Sequence, residues 1–331
     1  MRRICLFLLC LVLAVFPVLA EETGEAEVLI EQAKNLLTAE DYEAAISILQ
    51  KEAEKGNAEA QNELGKCYAN GTGVEQNDEE AFKYFQMAAD QGYAKGLYNV
   101  GVYYENGLGV DQDDTKAVRY YKLAADQGLP YAQCALGYFY ENGISVEQDL
   151  EEAVTYFKLA ADQGLADAQY DLGLCYMNGT GISQDNEEAV KYFQLAADQG
   201  HAPAQNSLGY CYSEGIGVEE DDKKALRYYQ LAAEQGDPDG IYNLGYSYYY
   251  GEGVEQDYEK AWDLFQQAAE LGQPSAIFLL GECYYEGNAV EKNLEEAAVW
   301  YQKALDAGYE PDDEDQKHLA EVMEEQIGLV G

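Results

Sequence analysis

Apolar positions along the chain follow a helical period, and the whole pattern recurs every 36 residues. In "LADAQYDLGLCYMNG" (165–179), Ala168, Leu172, Cys175 and Tyr176 stand at i, i+4, i+7 and i+8, which is one face of a helix. Gly179 then predicts a left-handed C-cap. A short loop leads to Asp185, an N-cap, with Glu188 three residues on in the pattern of a capping box. Ala189, Tyr192, Phe193, Ala196 and Ala197 form the apolar face of a second helix, which closes on "YFQLAADQG" (192–200). Nearly the same nine residues stand at 84–92, 120–128, 156–164 and 228–236. The closing glycines Gly92, Gly128, Gly164, Gly200, Gly236, Gly272 and Gly308 are evenly spaced, and Gly56 sits one period earlier.

A repeat of this length, each copy spelling two helices, predicts a solenoid. Eight units run from Glu21 to Gly308, and seven of them, from Asn57, follow one template. Every one of those seven carries a glycine inside its first helix: Gly65, Gly101, Gly137, Gly173, Gly209, Gly245 and Gly281. Each costs about 1 kcal/mol relative to Ala, so the repetition points to a close backbone approach between neighbouring helices.

These residues are similar to the Sel-one-like repeats (SLR), a branch of the tetratricopeptide-repeat superfamily. That family's unit runs roughly A-x-A-x-x-x-L-G-x-x-Y, then G-x-G-V, then K-A-x-x-W-x-x-A-A-x-x-G. "APAQNSLGYCYSEGIGV" (202–218) and "KKALRYYQLAAEQG" (223–236) match it nearly throughout. The family's Trp is here Tyr84, Tyr120, Tyr156, Tyr192 and Tyr228, then Leu264, and Trp only at Trp300. The expected fold is therefore all-α, a right-handed superhelical solenoid of paired antiparallel helices. It divides into a targeting segment (1–20), a tetratricopeptide-like capping repeat (21–56), seven Sel-one-like repeats (57–308) and a C-terminal capping helix (309–331). Leu319, Val322 and Met323 of that last helix are expected to cover the final open core.

The balance of 20 Lys+Arg against 62 Asp+Glu, a net charge of −42, makes nucleic acid an improbable partner. Disorder is opposed by 12% aromatic residues and by the regular period. "MRRICLFLLCLVLAVFPVLA" (1–20) reads as a cleavable signal peptide: Arg2 and Arg3, an apolar run from Ile4 to Val15, and small residues at Val18 and Ala20. The alternative is a retained membrane anchor. Leu9 before Cys10 disfavours lipidation. The expected location is secreted or extracytoplasmic (periplasm or cell surface), or the endoplasmic-reticulum lumen if the source is eukaryotic.

Candidate chemistry is sparse. Cys67, Cys175, Cys211 and Cys283 share one repeat position and Cys134 another, too far apart for bridges between neighbouring units, so buried free thiols are expected. His201 and His318, the two histidines, have no metal-ligand spacing with each other or with Cys. No cofactor and no metal is expected, nor a Ser–His–Asp or Cys–His device. "PDDEDQ" (311–316) lacks the glycine and spacing of a calcium loop, and helix capping accounts for Asn70 and Asn178 in their "NGT" contexts.

The anomaly is aromatic. Opposite the apolar face of the first helices, where polar residues belong, stand Tyr98, Val102, Tyr138, Tyr170, Leu174, Tyr210, Tyr242, Tyr246, Tyr249 and Phe278, with Tyr285. In the superfamily that this chain resembles, first helices line the concave side. The stripe is therefore read as an interaction surface for a protein or peptide, and the acidic surroundings favour a basic partner. The alternative is that these residues pack on one another. The functional expectation is an exported, non-enzymatic scaffold for protein–protein interaction. The alternatives are a hydrolase of cell-wall or β-lactam substrates, as the cysteine-rich relatives imply, or an adaptor in the endoplasmic-reticulum lumen.

Overall fold

A computed structural model describes residues 24–329, apart from the side chains of residues 314 and 323–329. The signal-peptide reading of residues 1–20 and the packing expected of Met323 lie outside the described residues. Those residues hold seventeen helices and no strand. The chain forms two compact units, one ending at Ala160 and one beginning at Ala161.

In the first unit, α1 (residues 24–38) pairs with α2 (Tyr42–Glu54), followed by α3 (Ala58–Asn70) with α4 (Asp78–Asp90). Then come α5 (Ala94–Asn106) with α6 (Asp114–Ala125), and α7 (Pro130–Asn142) with α8 (Leu150–Ala161). The second unit repeats the scheme with α9 (Ala166–Asn178) and α10 (Asn186–Ala197), then α11 (Ala202–Glu214) and α12 (Asp222–Glu234). It continues with α13 (Pro238–Tyr250) and α14 (Tyr258–Glu270), α15 (Pro274–Glu286) and α16 (Leu294–Asp306), and ends on α17 (Asp313–Leu329). The first helix of each pair is called A below and the second B.

Each template pair is built the same way. The A helix ends on a glycine with φ between 65 and 83°, from Gly71 to Gly287, a conformation that a Cβ penalises. The B helix starts on Asn77, Asp113, Asp149, Asp185, Asp221, Asp257 or Asn293, whose side chain accepts from a backbone N–H two or three residues on. The capping box expected at Asp185 is only half formed. Glu188 turns outward to Lys191, because the Asp185 N–H is already taken by the Tyr176 carbonyl at 2.9 Å. All seven template units make this bond from B-helix N-cap to A-helix tyrosine, from Asn77 to Tyr68 through Asn293 to Tyr284. It satisfies a donor and an orphan carbonyl at once.

The glycine inside each A helix makes room for a ring rather than for another backbone. A Cβ on Gly65, Gly101, Gly137, Gly173, Gly209, Gly245 or Gly281 would lie 2.5–2.8 Å from Phe85, Tyr121, Phe157, Phe193, Tyr229, Phe265 or Tyr301 respectively. Those seven rings are buried and form the centre of each pair. Beside them, a second aromatic ladder replaces the family's tryptophan. Tyr84, Tyr120, Tyr156, Tyr192 and Tyr228 of the B helices stack on Tyr68, Tyr104, Tyr140, Tyr176 and Tyr212, with centroids 5.6–5.8 Å apart and planes within 15°.

The repeated "DQG" serves the junction between successive pairs. In the second unit, Gln199 donates to Gln169, and the buried Gln169 donates to the carbonyl of Ala161 at the end of the preceding B helix. Gln235, Gln205 and Ala197 repeat the chain one period on. In the first unit, Gln91, Gln61 and Ala53 do the same. Positions 241 and 271 are Ile and Leu, and where position 97 is Leu, Gln127 donates to the Gly92 carbonyl instead. Cys67, Cys211 and Cys283 are buried free thiols, and burial pushes them up to about 11, 12 and 12. Leu319 and Val322 of α17 are buried against α15 and α16.

Two outcomes follow for stability. Gly173→Ala should destabilise the protein by about 1–3 kcal/mol despite alanine's better helix propensity, because its methyl overlaps Phe193. Combining it with Phe193→Leu should cost less than the sum of the single changes in urea denaturation; additive losses would contradict the contact. The second outcome concerns His201, which caps α11 by accepting the Ala204 N–H at Nδ1. Burial lowers its pKa and outweighs the opposing charges of Asp167 and Asp237, although Asp167 lies 3.4 Å from Nε2. With the folded pKa depressed, the contribution of His201 is present above its unfolded pKa and lost as pH falls through the folded one. The stability difference between wild type and His201→Asn should therefore shift against the wild type between about pH 7.5 and about pH 5. A constant difference would exclude it.

Candidate binding surface

The ten residues expected to form an open stripe separate into three environments, set by the ring that fills the glycine notch. The first group is the sixth position of each unit, which leans on that ring. Tyr98 lies 5.7 Å from Tyr121, Tyr170 5.8 Å from Phe193, and Tyr242 6.2 Å from Phe265. These three are half-buried. Phe278, at the same position, is a correction to the expectation: it is 2% exposed. Being the last of the series, it is sandwiched between Tyr301 and Tyr309, at 4.8 and 4.5 Å, beside the terminal helix.

The thirteenth position lies at the ring's tip. There Glu105 accepts from the Tyr121 hydroxyl and Ser213 pairs with that of Tyr229. Phe265 has no hydroxyl, and Tyr249 packs against it at 5.9 Å instead, bonding outward to Asn288. Tyr249 is accordingly 6% exposed, the second correction. Tyr285, the other tyrosine at this position, is half-buried and stacks on His318.

The tenth position is the open one. Tyr138 in the first unit and Tyr210 in the second are 51% and 45% exposed. Val102, Leu174 and Tyr246 are half-buried; Tyr246 leans on Tyr250, with centroids 4.4 Å apart. Tyr131 and Tyr250, 53% and 51% exposed, belong to the same surfaces and were not singled out in the sequence. Tyr131 lies 6.0 Å from Tyr98; its place at the third position of its unit was the available signal.

In the second unit, two of the expected residues line one cleft. Met177, Asn206, Ser207, Tyr210, Asp239, Tyr242, Asn243 and Gln273 surround a volume of about 240 Å³ on the A helices. Its polar side is held in place. Asn243 donates to Asn206 across α11 and α13 at 2.8 Å. Gln273 caps α15 through its oxygen and donates to Asp239 through its nitrogen. Burial raises the Tyr242 phenol above its ordinary value, so its hydroxyl stays protonated and able to donate at neutral pH. The cleft thus offers two ring faces, fixed amides, a hydroxyl and one carboxylate, which suits an extended backbone with a cationic side chain. None of its lining residues is a histidine or cysteine. A larger recess of about 780 Å³ borders α1 and α3 in the first unit, but Tyr93 is the one aromatic that lines it. No helix among the described residues is long and apolar enough to cross a membrane.

Comparison with known proteins places this architecture. The Sel1 repeat matches seven consecutive times, over residues 58–93, 94–129, 130–165, 166–201, 202–237, 238–273 and 274–309. The chain is 40% identical to a protective antigen of uropathogenic Escherichia coli strains displaying an SLR fold, with a TM-score of 0.71. That alignment covers 84% of this chain and 59% of the antigen's, so this chain spans less than two thirds of that relative. A Sel1 repeat protein from Oxalobacter formigenes is 33% identical, with a TM-score of 0.67, over 72% of this chain and 96% of its own. Comparison with curated proteins found no match. Seven in-register copies of the unit, each closed by a ring on a glycine, make this chain a member of the Sel1 repeat family.

Proposed function

We propose that the chain is an exported, non-enzymatic scaffold that holds an extended, basic polypeptide segment against the open aromatic positions of its A helices. Sel1 repeats form an all-α repeat scaffold of the kind that serves protein–protein interaction. The single observation that carries the finer reading is the cleft of the second unit, where exposed Tyr210 and half-buried Tyr242 flank a fixed pair of asparagine amides beside Asp239. Rings supply rigid contact area at low entropic cost, amides match a peptide backbone, and carboxylates select Lys or Arg. Against a hydrolase stands the lining itself, which offers one carboxylate where glycoside cleavage uses two, and no imidazole or thiol to serve acyl transfer. Export rests on the leader-like residues 1–20, and kinship with a protein described as a protective antigen accords with it. On this reading residues 21–56 and 309–331 cap the seven repeats of 57–308.

The test separates contact from packing. On an array of extended peptides of varied charge, the protein should retain Lys- and Arg-containing sequences. Tyr210→Ala should weaken that binding by about 1–3 kcal/mol, mainly through faster dissociation, and leave Tm nearly unchanged. Tyr170→Ala should instead lower Tm, since its ring packs on Phe193 and on His201 at 4.9 Å. Asp239→Asn should remove the preference for basic residues, and added salt should slow association. Unaltered peptide binding by Tyr210→Ala would sink the proposal.

A further inference from the structure

At the end of the second unit, α17 brings His318 against α15. Glu282 and Glu286 stand four residues apart on that helix, on one face. These three side chains each present a ligand-type atom, all within 4.8 Å of one another, and no other such trio occurs among the described residues. His318 Nδ1 lies 2.9 Å from one carboxylate oxygen of Glu282 and 3.1 Å from the other. Two ligands held about 2.1 Å from one metal ion stand about 3.0 Å apart at a right angle and about 3.4 Å apart at a tetrahedral one. The imidazole and carboxylate therefore stand at the right-angle separation and within about 0.5 Å of the tetrahedral one.

Both groups are also oriented from behind, as the ligands of a metal site are. The Tyr301 hydroxyl donates to Glu282. Tyr285 stacks on the His318 ring at 4.5 Å and is itself anchored by its hydroxyl to Glu321. The Glu282 and His318 side chains are 12% and 24% exposed, while Glu286 is open to solvent at the mouth. Glu286 brings a second carboxylate within reach of the same imidazole, so that one cation can engage all three groups.

We propose that Glu282, Glu286 and His318 bind a divalent transition-metal ion of the zinc type, which ties the terminal helix to the last repeat. One imidazole nitrogen with two carboxylates favours Zn²⁺ or Mn²⁺ over Mg²⁺ and Ca²⁺, which take oxygen ligands. Water completes the coordination on the Glu286 side. The ligand set was invisible in the sequence because His318 lies a full repeat length beyond Glu282.

The experiment uses the untagged chain, stripped with a chelator and titrated calorimetrically with Zn²⁺ and, separately, with Mg²⁺. One Zn²⁺ should bind per chain, Mg²⁺ should not displace it, and Tm should rise with Zn²⁺ concentration. Glu286→Gln and His318→Asn should each weaken binding by about tenfold or more and lose that rise. Glu286→Gln should keep the metal-free Tm, since its side chain is exposed. Co²⁺ in place of Zn²⁺ should give a visible spectrum without a thiolate charge-transfer band, which separates this site from the cysteines. Equal Zn²⁺ affinity in both variants, a thiolate band, or no uptake by the wild type at about millimolar metal would overturn the proposal.

Discussion

Each template repeat depends on one contact, an aromatic ring of the B helix seated where the A helix has no Cβ. It brings the two helices close enough for the N-cap of B to hydrogen-bond the A-helix carbonyl of the position-twelve tyrosine. The close approach also places a second tyrosine pair in stacking register in five of the seven units. The helical cost of glycine, about 1 kcal/mol, is small against the burial of a Phe or Tyr ring, several times that. A ring at this site leaves no room for a Cβ opposite it in any of the seven units.

The same ring sorts the remaining A-helix side chains. Residues at its face or its tip pack on it, as Tyr170 and Tyr249 do, and Tyr242 does so while its other side lines the cleft. The tenth position points past the ring in most units, the exception being Glu282, which accepts from the Tyr301 hydroxyl. Tyr138 and Tyr210 stand at this place about half exposed, and an aromatic residue left open on a regular scaffold marks a surface for another molecule. The amide pair of Asn206 and Asn243 adds direction to that surface.

Much of the fold was legible because a strict period repeats every signal seven times. Gly179 and Asp185 announced their caps, and Ala189, Tyr192, Phe193, Ala196 and Ala197 announced a buried face, which the structure buries throughout. The glycine at 173 was legible as a close approach but was read as one of backbone to backbone, since nothing along the sequence links it to the ring of Phe193 twenty residues later. The capping box failed for a similar reason: Glu188 has the right spacing, yet the donor it needs is bound by a carbonyl of the other helix. The aromatic stripe was read from helical phase alone. Phase cannot tell Tyr210, which faces solvent, from Phe278, which is covered by Tyr309 and lies beside a non-repeating helix. The Asn206–Asn243 pair was missed because its two members sit at different positions of successive repeats.

The central claim is that the ring-on-glycine contact divides tyrosines that hold the fold from tyrosines that meet a partner. Tyrosine nitration mapped by mass spectrometry tests it on the native protein, with and without a bound basic peptide. Tyr131, Tyr138, Tyr210 and Tyr250 should react in the free protein, while Tyr121, Tyr229 and Tyr301 stay unmodified. The peptide should then protect Tyr210. Ready nitration of Tyr229, or a Tyr210 that reacts equally with peptide bound, would contradict the account.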